Sequence, residues 1–366
     1  MKINISTELC SVTDIGLVRE QNEDNCSVVA TPNGTLCVVC DGMGGHAGGE
    51  KASQIAVDCI VHFLTLEQYE DIPQALHNAL DFANMQILGK AAEHLELRGM
   101  GSTACILLIQ DSQAWIAHVG DSRIYLYVAA KKRLHLLTKD HSYVQWLVDQ
   151  GIIYPEEADS HPDKNRILKA LGIMEELKPE VAENPILPAK GDIFLLCSDG
   201  VSGMVSKSKM EQILADKTEL NEKEAALLLA AKEAGGTDNI TFQLASITRS
   251  PHRKSIFIDT ETVQPKGERV KRRRFGRVII PVLLAIVTFL AGIWIGNMYG
   301  RREGVPKSSA QKEVQPSGDP QIAKEEQTQE DIQIQKEALT SEETAPETDT
   351  SAVRVPSLDT EEKKVN

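Results

Sequence analysis

Runs of apolar residues bounded by polar turns predict a series of strands along the N-terminal part of the chain. Short runs of this kind, with glycine-rich turns at their ends, are typical of strands buried in a sheet. Residues 7–31 are more polar and predict two strands around the charged turn 19–24. Further strands are predicted at 36–40, 103–109, 114–119, 124–128, 193–198 and 240–247.

Helical spacing of apolar residues separates these strands into groups. Amphipathic helices are predicted at 50–66 and 72–96, and again at 206–215 and 221–234. Because these helices come in pairs and do not alternate with single strands, the pattern favours a layered α+β domain over a doubly wound parallel sheet. We expect this domain to occupy residues 1–247.

Composition narrows the class of protein further. The chain has 366 residues and a net charge of −14, which argues against a nucleic-acid-binding protein. Its seven scattered cysteines fit a reducing compartment better than a disulfide framework. Cys37 and Cys40 form a C-x-x-C pair inside a predicted strand. Since no second pair completes a zinc site, core packing is the favoured role.

The C-terminal third has a different character. A linker, 248–277, becomes strongly basic, and 278–299 then carries no charged residue. As a helix this stretch would be roughly 33 Å long, enough to cross a hydrocarbon core of about 30 Å. The basic side predicts a single-pass protein of the cell membrane with a cytoplasmic N-terminal domain. The acidic tail, 300–366, is expected to be disordered on the far side.

Four aspartates share one sequence context. Asp41 and Asp199 each end a buried strand and precede glycine, Asp238 lies in a glycine-rich turn, and Asp121 follows Gly120 at another strand end. Asp41 alone could mark an ordinary acidic loop. Carboxylates gathered at one end of a sheet, however, repel one another unless cations neutralise them. Oxygen ligands favour hard ions such as Mg²⁺ or Mn²⁺.

Two further side chains suit chemistry on a phosphate ester. Arg19 offers a planar, permanently charged fork for phosphate oxygens. His46, in the glycine-rich turn after Asp41, has an unperturbed pKa of about 6.5 and could protonate a leaving alkoxide. Two cations about 3.5–4 Å apart can activate a water and hold a phosphoryl group. Together these groups predict phosphate-ester hydrolysis without a covalent intermediate.

The order of motifs in the chain resembles one known family. The motifs are R-x-x-N-E-D from Arg19, DGMGGHAGG from Asp41, GST from Gly101, GDSR from Gly120, DHS from Asp140, SDG from Ser198 and GGTDN from Gly235. In this order they resemble the type 2C metal-dependent serine/threonine protein phosphatases, the PPM family, in their bacterial form. The resemblance implies a four-layer α-β-β-α sandwich of two antiparallel sheets flanked by helix pairs.

The resemblance also implies roles for individual residues. It gives phosphate binding to Arg19 and the general-acid role to His46, and it places a variable flap at about 142–178. It implies two Mn²⁺ or Mg²⁺ ions and a third, weaker site. The implied ligands are Asp41, the Gly42 carbonyl, Asp199 and Asp238, with Glu23 and Asp24 acting through bound waters and Asp121 at the third site.

One position departs from the family pattern, and two histidines are given structural roles. Lys169 stands where bacterial relatives usually carry arginine, so it keeps the charge without the fork. His118 is expected to be a structural strand residue. We expect His141 to cap or pack the helix of the flap.

These features predict a membrane-anchored phosphoprotein phosphatase that opposes Ser/Thr kinases, with phosphorylated proteins, including a kinase, as its partners. Membrane lipid is a further expected contact, and nucleic acid is not. Gly292 and Gly296 form a G-x-x-x-G spacing that would suit a homodimer through the membrane helix. The alternatives are a pseudophosphatase that binds phosphoproteins without turnover, and a metal-dependent nuclease or cyclic-nucleotide hydrolase.

Overall fold

Two antiparallel sheets pack against each other in the structure, a computed structural model that describes residues 4–44, 48–158 and 160–257. The strands are β1 (Ser6–Asp14), β2 (Asp24–Thr31), β3 (Gly34–Met43), β4 (Gly101–Ser102), β5 (Ala104–Gln110), β6 (Gln113–Val119), β7 (Arg123–Val128), β8 (Arg133–Leu136), β9 (Glu180–Val181), β10 (Ile193–Cys197) and β11 (Ile240–Arg249). One sheet has the strand order β1-β11-β10-β7-β8. The other has the order β2-β3-β5-β6-β9, and β4 pairs with β3 beside it. The predicted strands are therefore present in this part of the chain, and their pairing is antiparallel throughout.

Helices cover the outer face of each sheet. They are α1 (Gly48–Leu66), α2 (Ile72–Glu93), α3 (Tyr143–Asp149), α4 (Pro155–Ala158), α5 (Asp199–Ser202), α6 (Lys207–Ala215) and α7 (Leu220–Glu233). The first two pack on the sheet that contains β3, and the last two pack on the sheet that contains β10. The predicted four-layer arrangement of helices and sheets is confirmed.

The apolar run of strand β3 is unbroken because both faces of the strand are buried. Leu36, Val38 and Cys40 belong to the core beneath α1 and α2. Cys37 and Val39 belong to the core between the two sheets. Because alternate side chains of a strand point to opposite faces, both faces need apolar residues here. Cys37 and Cys40 therefore face opposite ways and both remain free thiols, as expected for core packing.

The folded part extends beyond the predicted boundary at Ile247. Strand β11 runs to Arg249, and the following residues still contact the domain. Ile256 pairs with Leu187 through backbone hydrogen bonds of 2.9 and 3.0 Å. The His252 imidazole donates to the Ser112 carbonyl at 2.8 Å. The first ten residues of the predicted linker thus belong to the domain surface.

The membrane prediction concerns another part of the chain. No helix among residues 4–44, 48–158 and 160–257 is long and apolar enough to cross a membrane. The predicted span, 278–299, and the predicted tail, 300–366, lie outside the described residues. Most of the predicted linker lies outside them as well.

Candidate active site

The carboxylates predicted to bind metal meet at one end of the sandwich. The pairing of β2 with β3 sets Asp24 directly opposite Asp41. Asp199 begins α5 immediately after β10, and Asp238 lies just before β11, which pairs with β10. Asp121 precedes β7, the other neighbour of β10. The topology therefore brings together side chains that are far apart in sequence.

Crowding and loss of hydration change the acidity of this group. Burial raises the pKa of Asp41 well above its usual range, and the nearby charges of Asp24, Asp199, Asp121 and Asp238 raise it further. Burial likewise raises the pKa of Asp24 to about 7, although the Ser198 hydroxyl donates to its carboxylate at 2.8 Å. Such a group cannot keep all its negative charges without cations nearby.

The donor set fits hard divalent cations. Every side chain in the cluster offers oxygen, which Mg²⁺ and Mn²⁺ prefer. Burial raises the pKa of Asp121 to about 7, and its Oδ1 is a buried atom for which the described residues supply no hydrogen-bond partner. A buried acceptor of this kind is costly unless a cation or a water completes it.

Hydroxyl groups behind the cluster hold Asp41 in place. The Asp41 N–H donates to Thr103 Oγ1 at 2.9 Å, and the Thr103 N–H donates to the Asp41 carbonyl at 2.8 Å. Thr103 Oγ1 also shares a hydrogen bond of 2.7 Å with Ser122 Oγ, next to Asp121. The sequence motifs contain these hydroxyl residues, but pattern alone assigned them no role.

Gly42 occupies a position that no larger residue could fill. A Cβ atom there would lie 2.0 Å from the Gly49 carbonyl oxygen and 2.6 Å from the Glu23 carbonyl oxygen. The Gly42 N–H instead donates to that Glu23 carbonyl at 3.1 Å. The glycine therefore lets the Glu23 segment and the start of α1 approach the end of β3 closely.

Arg19 lies at the rim of the cluster. Its Nη2 donates to Asp238 Oδ2 at 2.8 Å, and its Nη1 lies 3.9 Å from Glu23 Oε2. The side chain is 46% exposed, so the guanidinium faces solvent on one side. Asn239 fixes this loop, because its Oδ1 accepts from the Glu23 N–H at 2.8 Å and its Nδ2 donates to the Gln21 carbonyl at 2.9 Å. No pattern in the sequence indicates this role of Asn239.

A cavity of about 690 Å³ opens beside the acidic cluster. It separates the predicted flap from α5 and the start of α6. Its polar lining includes Asp121, Asp199, Asp238, Ser142, Gln145, Lys164, Asn165, Ser206 and Lys207. A space of this size, bordered by the carboxylates, can admit a side chain that carries a phosphate group.

His46 lies outside the described residues. Its assignment as general acid therefore remains a prediction from the sequence. The residues on either side of this short gap are Gly44, which follows the end of β3, and Gly48, which begins α1.

A second group of potential metal ligands lies apart from the carboxylates. Atoms of His118, His141 and Glu180 lie within 4.8 Å of one another. However, His141 Nδ1 accepts the Gly120 N–H at 3.1 Å, so the proton of the neutral ring resides on Nε2, which lies 3.2 Å from Glu180 Oε1. His118 Nε2 donates to the Lys139 carbonyl at 2.9 Å. The Nε2 atoms of His118 and His141 therefore both act as hydrogen-bond donors and have no lone pair for a metal ion. We interpret this group as a hydrogen-bonded cluster and not as a metal site.

Comparison with known proteins shows the family of the chain. The family model described as protein phosphatase 2C matches residues 18–233. The chain belongs to the protein phosphatase 2C family. The serine/threonine phosphatase stp of Listeria welshimeri is 40% identical over 237 residues, covering 63% of this chain and 92% of that relative. The chain is thus an enzyme of the predicted class, a serine/threonine protein phosphatase.

Solved structures agree with the phosphatase 2C assignment. The crystal structure of the Mycobacterium tuberculosis serine/threonine phosphatase PstP is 36% identical, with a TM-score of 0.60, and the match covers 67% of this chain and all of that one. A structure of the PstP catalytic domain in complex with two manganese ions is 35% identical with a TM-score of 0.59, again covering 67% of this chain and all of that one. The described fold is therefore the fold of this phosphatase family.

Proposed function

We propose that this chain is a membrane-anchored phosphoprotein phosphatase that uses two divalent cations, Mn²⁺ or Mg²⁺, to hydrolyse phosphoserine and phosphothreonine esters. The observation that carries the proposal is the convergence of Asp24, Asp41, Asp121 and Asp199, whose pKa values burial and mutual repulsion raise. The manganese-bound PstP structure supports the choice of ion. The expected substrates include a Ser/Thr kinase that the enzyme would oppose.

The ligand roles that we propose are those implied by the family resemblance, and the gathering of the carboxylates supports them. Asp41, the Gly42 carbonyl, Asp199 and Asp238 would hold the two cations, and Asp121 would share a weaker third ion with Asp199. Glu23 and Asp24 would act through waters. When bound, such cations lower the pKa of a coordinated water and neutralise the charge of a phosphoryl group.

The protein's own side chains would supply the remaining steps. Arg19 stands beside Asp238 with an exposed face, so its guanidinium would bind and orient the phosphate oxygens of a substrate. Thr103 and Ser122 would keep the first carboxylate, Asp41, fixed during turnover. His46 would protonate the departing serine or threonine oxygen. The cavity beside the cluster would hold the side chain that carries the phosphate.

Phosphate release from a phosphothreonine peptide tests the proposal. We expect turnover with Mn²⁺ or Mg²⁺, and none after chelation with EDTA. Asp41→Asn removes one charge at the centre of the cluster and should abolish turnover, whereas Asp58→Asn on the exposed side of α1 is the matched control and should keep it. Tight binding of the peptide by the wild-type protein without turnover would contradict the proposal and favour a binding module.

A further inference from the structure

One buried residue, His141, contacts the turn that carries Asp121 through its imidazole and its N–H, and contacts the base of the flap through its backbone carbonyl. We infer that His141 is a positioning residue of this phosphatase, which holds Asp121 and the neck of the flap in one fixed relation. The inference rests on the proposed function for its catalytic consequence. Its structural part concerns hydrogen bonds that can be measured without turnover.

His141 holds both backbone polar groups of Gly120. The Gly120 N–H donates to His141 Nδ1 at 3.1 Å, and the His141 N–H donates to the Gly120 carbonyl at 2.9 Å. Gly120 has a φ of +101°, and a Cβ atom there would lie 2.5 Å from Thr103 Cγ2. The turn is thus confined on one side by Thr103 and on the other by the imidazole. Asp121 is the next residue, so its direction depends on this turn.

The same residue closes the neck of the flap. The His141 carbonyl accepts the Leu168 N–H at 2.7 Å, and the Tyr143 N–H donates to the Arg166 carbonyl at 2.8 Å. Between them Ser142 pairs with Ile167. The outgoing and returning limbs of the flap are therefore joined at His141. Its side chain does not cap α3, because Ser142 accepts the Gln145 N–H and caps that helix.

Glu180 fixes the tautomer on which this arrangement depends. His141 Nε2 donates to Glu180 Oε1 at 3.2 Å, and the ring stacks on His118 with centroids 4.9 Å apart. With the proton held on Nε2, Nδ1 keeps a lone pair for the Gly120 N–H. The role parallels that of a carboxylate that orients a histidine ligand, but here the imidazole supports a backbone turn.

The hydrogen bonds continue from this turn to the centre of the site. Ser122, two residues after Gly120, shares a hydrogen bond with Thr103, and Thr103 bonds the backbone of Asp41 on both sides. Thr103 and Ser122 are fully buried, and His141 is 7% exposed. A displacement of His141 would therefore act on Asp121 and on the flap together.

Two substitutions separate positioning from general packing. In His141→Asn the amide Oδ1 lies close to the position of Nδ1 and can accept the Gly120 N–H, whereas His141→Ala leaves that buried donor without a partner. If the turn shifts to relieve this unsatisfied buried donor, Asp121 moves with it, and kcat/KM on a phosphothreonine peptide should fall roughly tenfold or more. We expect that loss for His141→Ala, together with a higher Mn²⁺ concentration for half-maximal activity. His141→Asn should recover most of the kcat/KM and most of the Mn²⁺ affinity, and His62→Asn, on the exposed face of α1, should match wild type.

Amide hydrogen exchange of the metal-free protein provides a readout independent of activity. We expect faster exchange in the segments around Gly120 and Leu168 for His141→Ala, and near-wild-type exchange there for His141→Asn. The inference would be overturned if both variants showed the same increase in exchange around Gly120 and Leu168. It would also be overturned if the increase in exchange only followed the decrease in melting temperature. If His141→Ala does not fold, the imidazole nitrogen chemical shifts of His141 in the wild-type protein test the inference by reporting its tautomer. A proton on Nε2 supports the inference, and a proton on Nδ1 overturns it. A wild-type enzyme without phosphatase activity would refute the proposed function, while exchange and tautomer would still test this contact.

Discussion

At the scale of single residues, most carboxylates of the acidic cluster could be predicted from the sequence. The end of a buried strand is recognisable there as an apolar run followed by a polar residue and glycine. Asp41 and Asp199 each follow an apolar run and precede glycine, and the structure places both at the same end of the sandwich. The supporting groups were not predictable in this way. Thr103 and Asn239 act through hydrogen bonds to segments distant in sequence, and no local pattern indicates such partners.

The raised pKa values predict an unusual dependence of stability on pH. Asp24 has a pKa of about 7 in the folded, metal-free protein because burial opposes its charge, against about 3.9 in an unfolded chain. The folded state therefore binds more protons than the unfolded state between these two values. We expect the free energy of unfolding of the metal-free protein to fall as pH rises from about 4 to about 7.

Urea unfolding in EDTA at several pH values measures this effect. Asp24→Asn has no titrating group at this position, so its free energy of unfolding should change less with pH. Asp71→Asn, at the exposed start of α2, should leave the pH dependence of the free energy of unfolding unchanged. Saturating Mn²⁺ should remove most of the decline, because cations favour the ionised carboxylates. A stability that rises steadily with pH in EDTA would contradict the description of a strained acidic cluster.

At the scale of elements, long apolar runs and helical periodicity were sufficient to predict the main strands and helices. Strand β9 was missed because it has only two residues and exists through its pairing with β6. The return limb of the flap was also not predictable. It is held by Asn84 of α2, whose Oδ1 accepts the Gly172 N–H at 2.7 Å and whose Nδ2 donates to the Met174 carbonyl at 3.0 Å.

Lys169 lies on this same limb. The pKa of Glu180 is lowered chiefly by the hydrogen bond from His141 and, to a smaller extent, by the charge of Lys169, while burial opposes the shift. The family's usual arginine would bring a planar fork to this region, whereas lysine brings a point charge. The departure therefore concerns the base of the flap and leaves the acidic cluster untouched.

Asn84 offers a test of how the flap is anchored. Asn84→Ala would leave the Gly172 N–H buried without an acceptor, so we expect a loss of about 1–3 kcal/mol in the free energy of unfolding. Asn78→Ala, on the exposed face of the same helix, is the control and should change stability by less than about 0.5 kcal/mol. Limited proteolysis of the flap should accelerate in the first variant only. Equal stability of the two variants would argue against this anchor.

At the scale of the whole molecule, pattern alone could not give the order of strands. The first and last strands, β1 and β11, pair along their full length although the rest of the domain separates them in sequence. Only the resemblance to a known family implied the two-sheet sandwich. The proposed membrane anchor has a different basis, since it rests on the uncharged run 278–299 and the basic residues before it.

Charge placed within that run tests the anchor. Leu284→Arg with Ile286→Arg would put two cations near the centre of the span, each costing about 2.5–3.5 kcal/mol in a bilayer. We expect the full-length double variant to leave the membrane fraction with its phosphatase activity intact. Ser308→Arg with Ser309→Arg adds the same charge in the tail and should stay with the membrane. A wild-type protein found wholly in the soluble fraction would contradict the anchor.

The central claim is that distant carboxylates hold a pair of divalent cations at one end of the sandwich. Anomalous diffraction at the manganese absorption edge, from crystals of the wild-type enzyme grown with Mn²⁺, tests it most directly. We predict two strong peaks bounded by Asp41, Asp199 and Asp238, and their loss in Asp199→Asn. Absence of peaks there, or a peak at His118, His141 and Glu180 instead, would contradict the account.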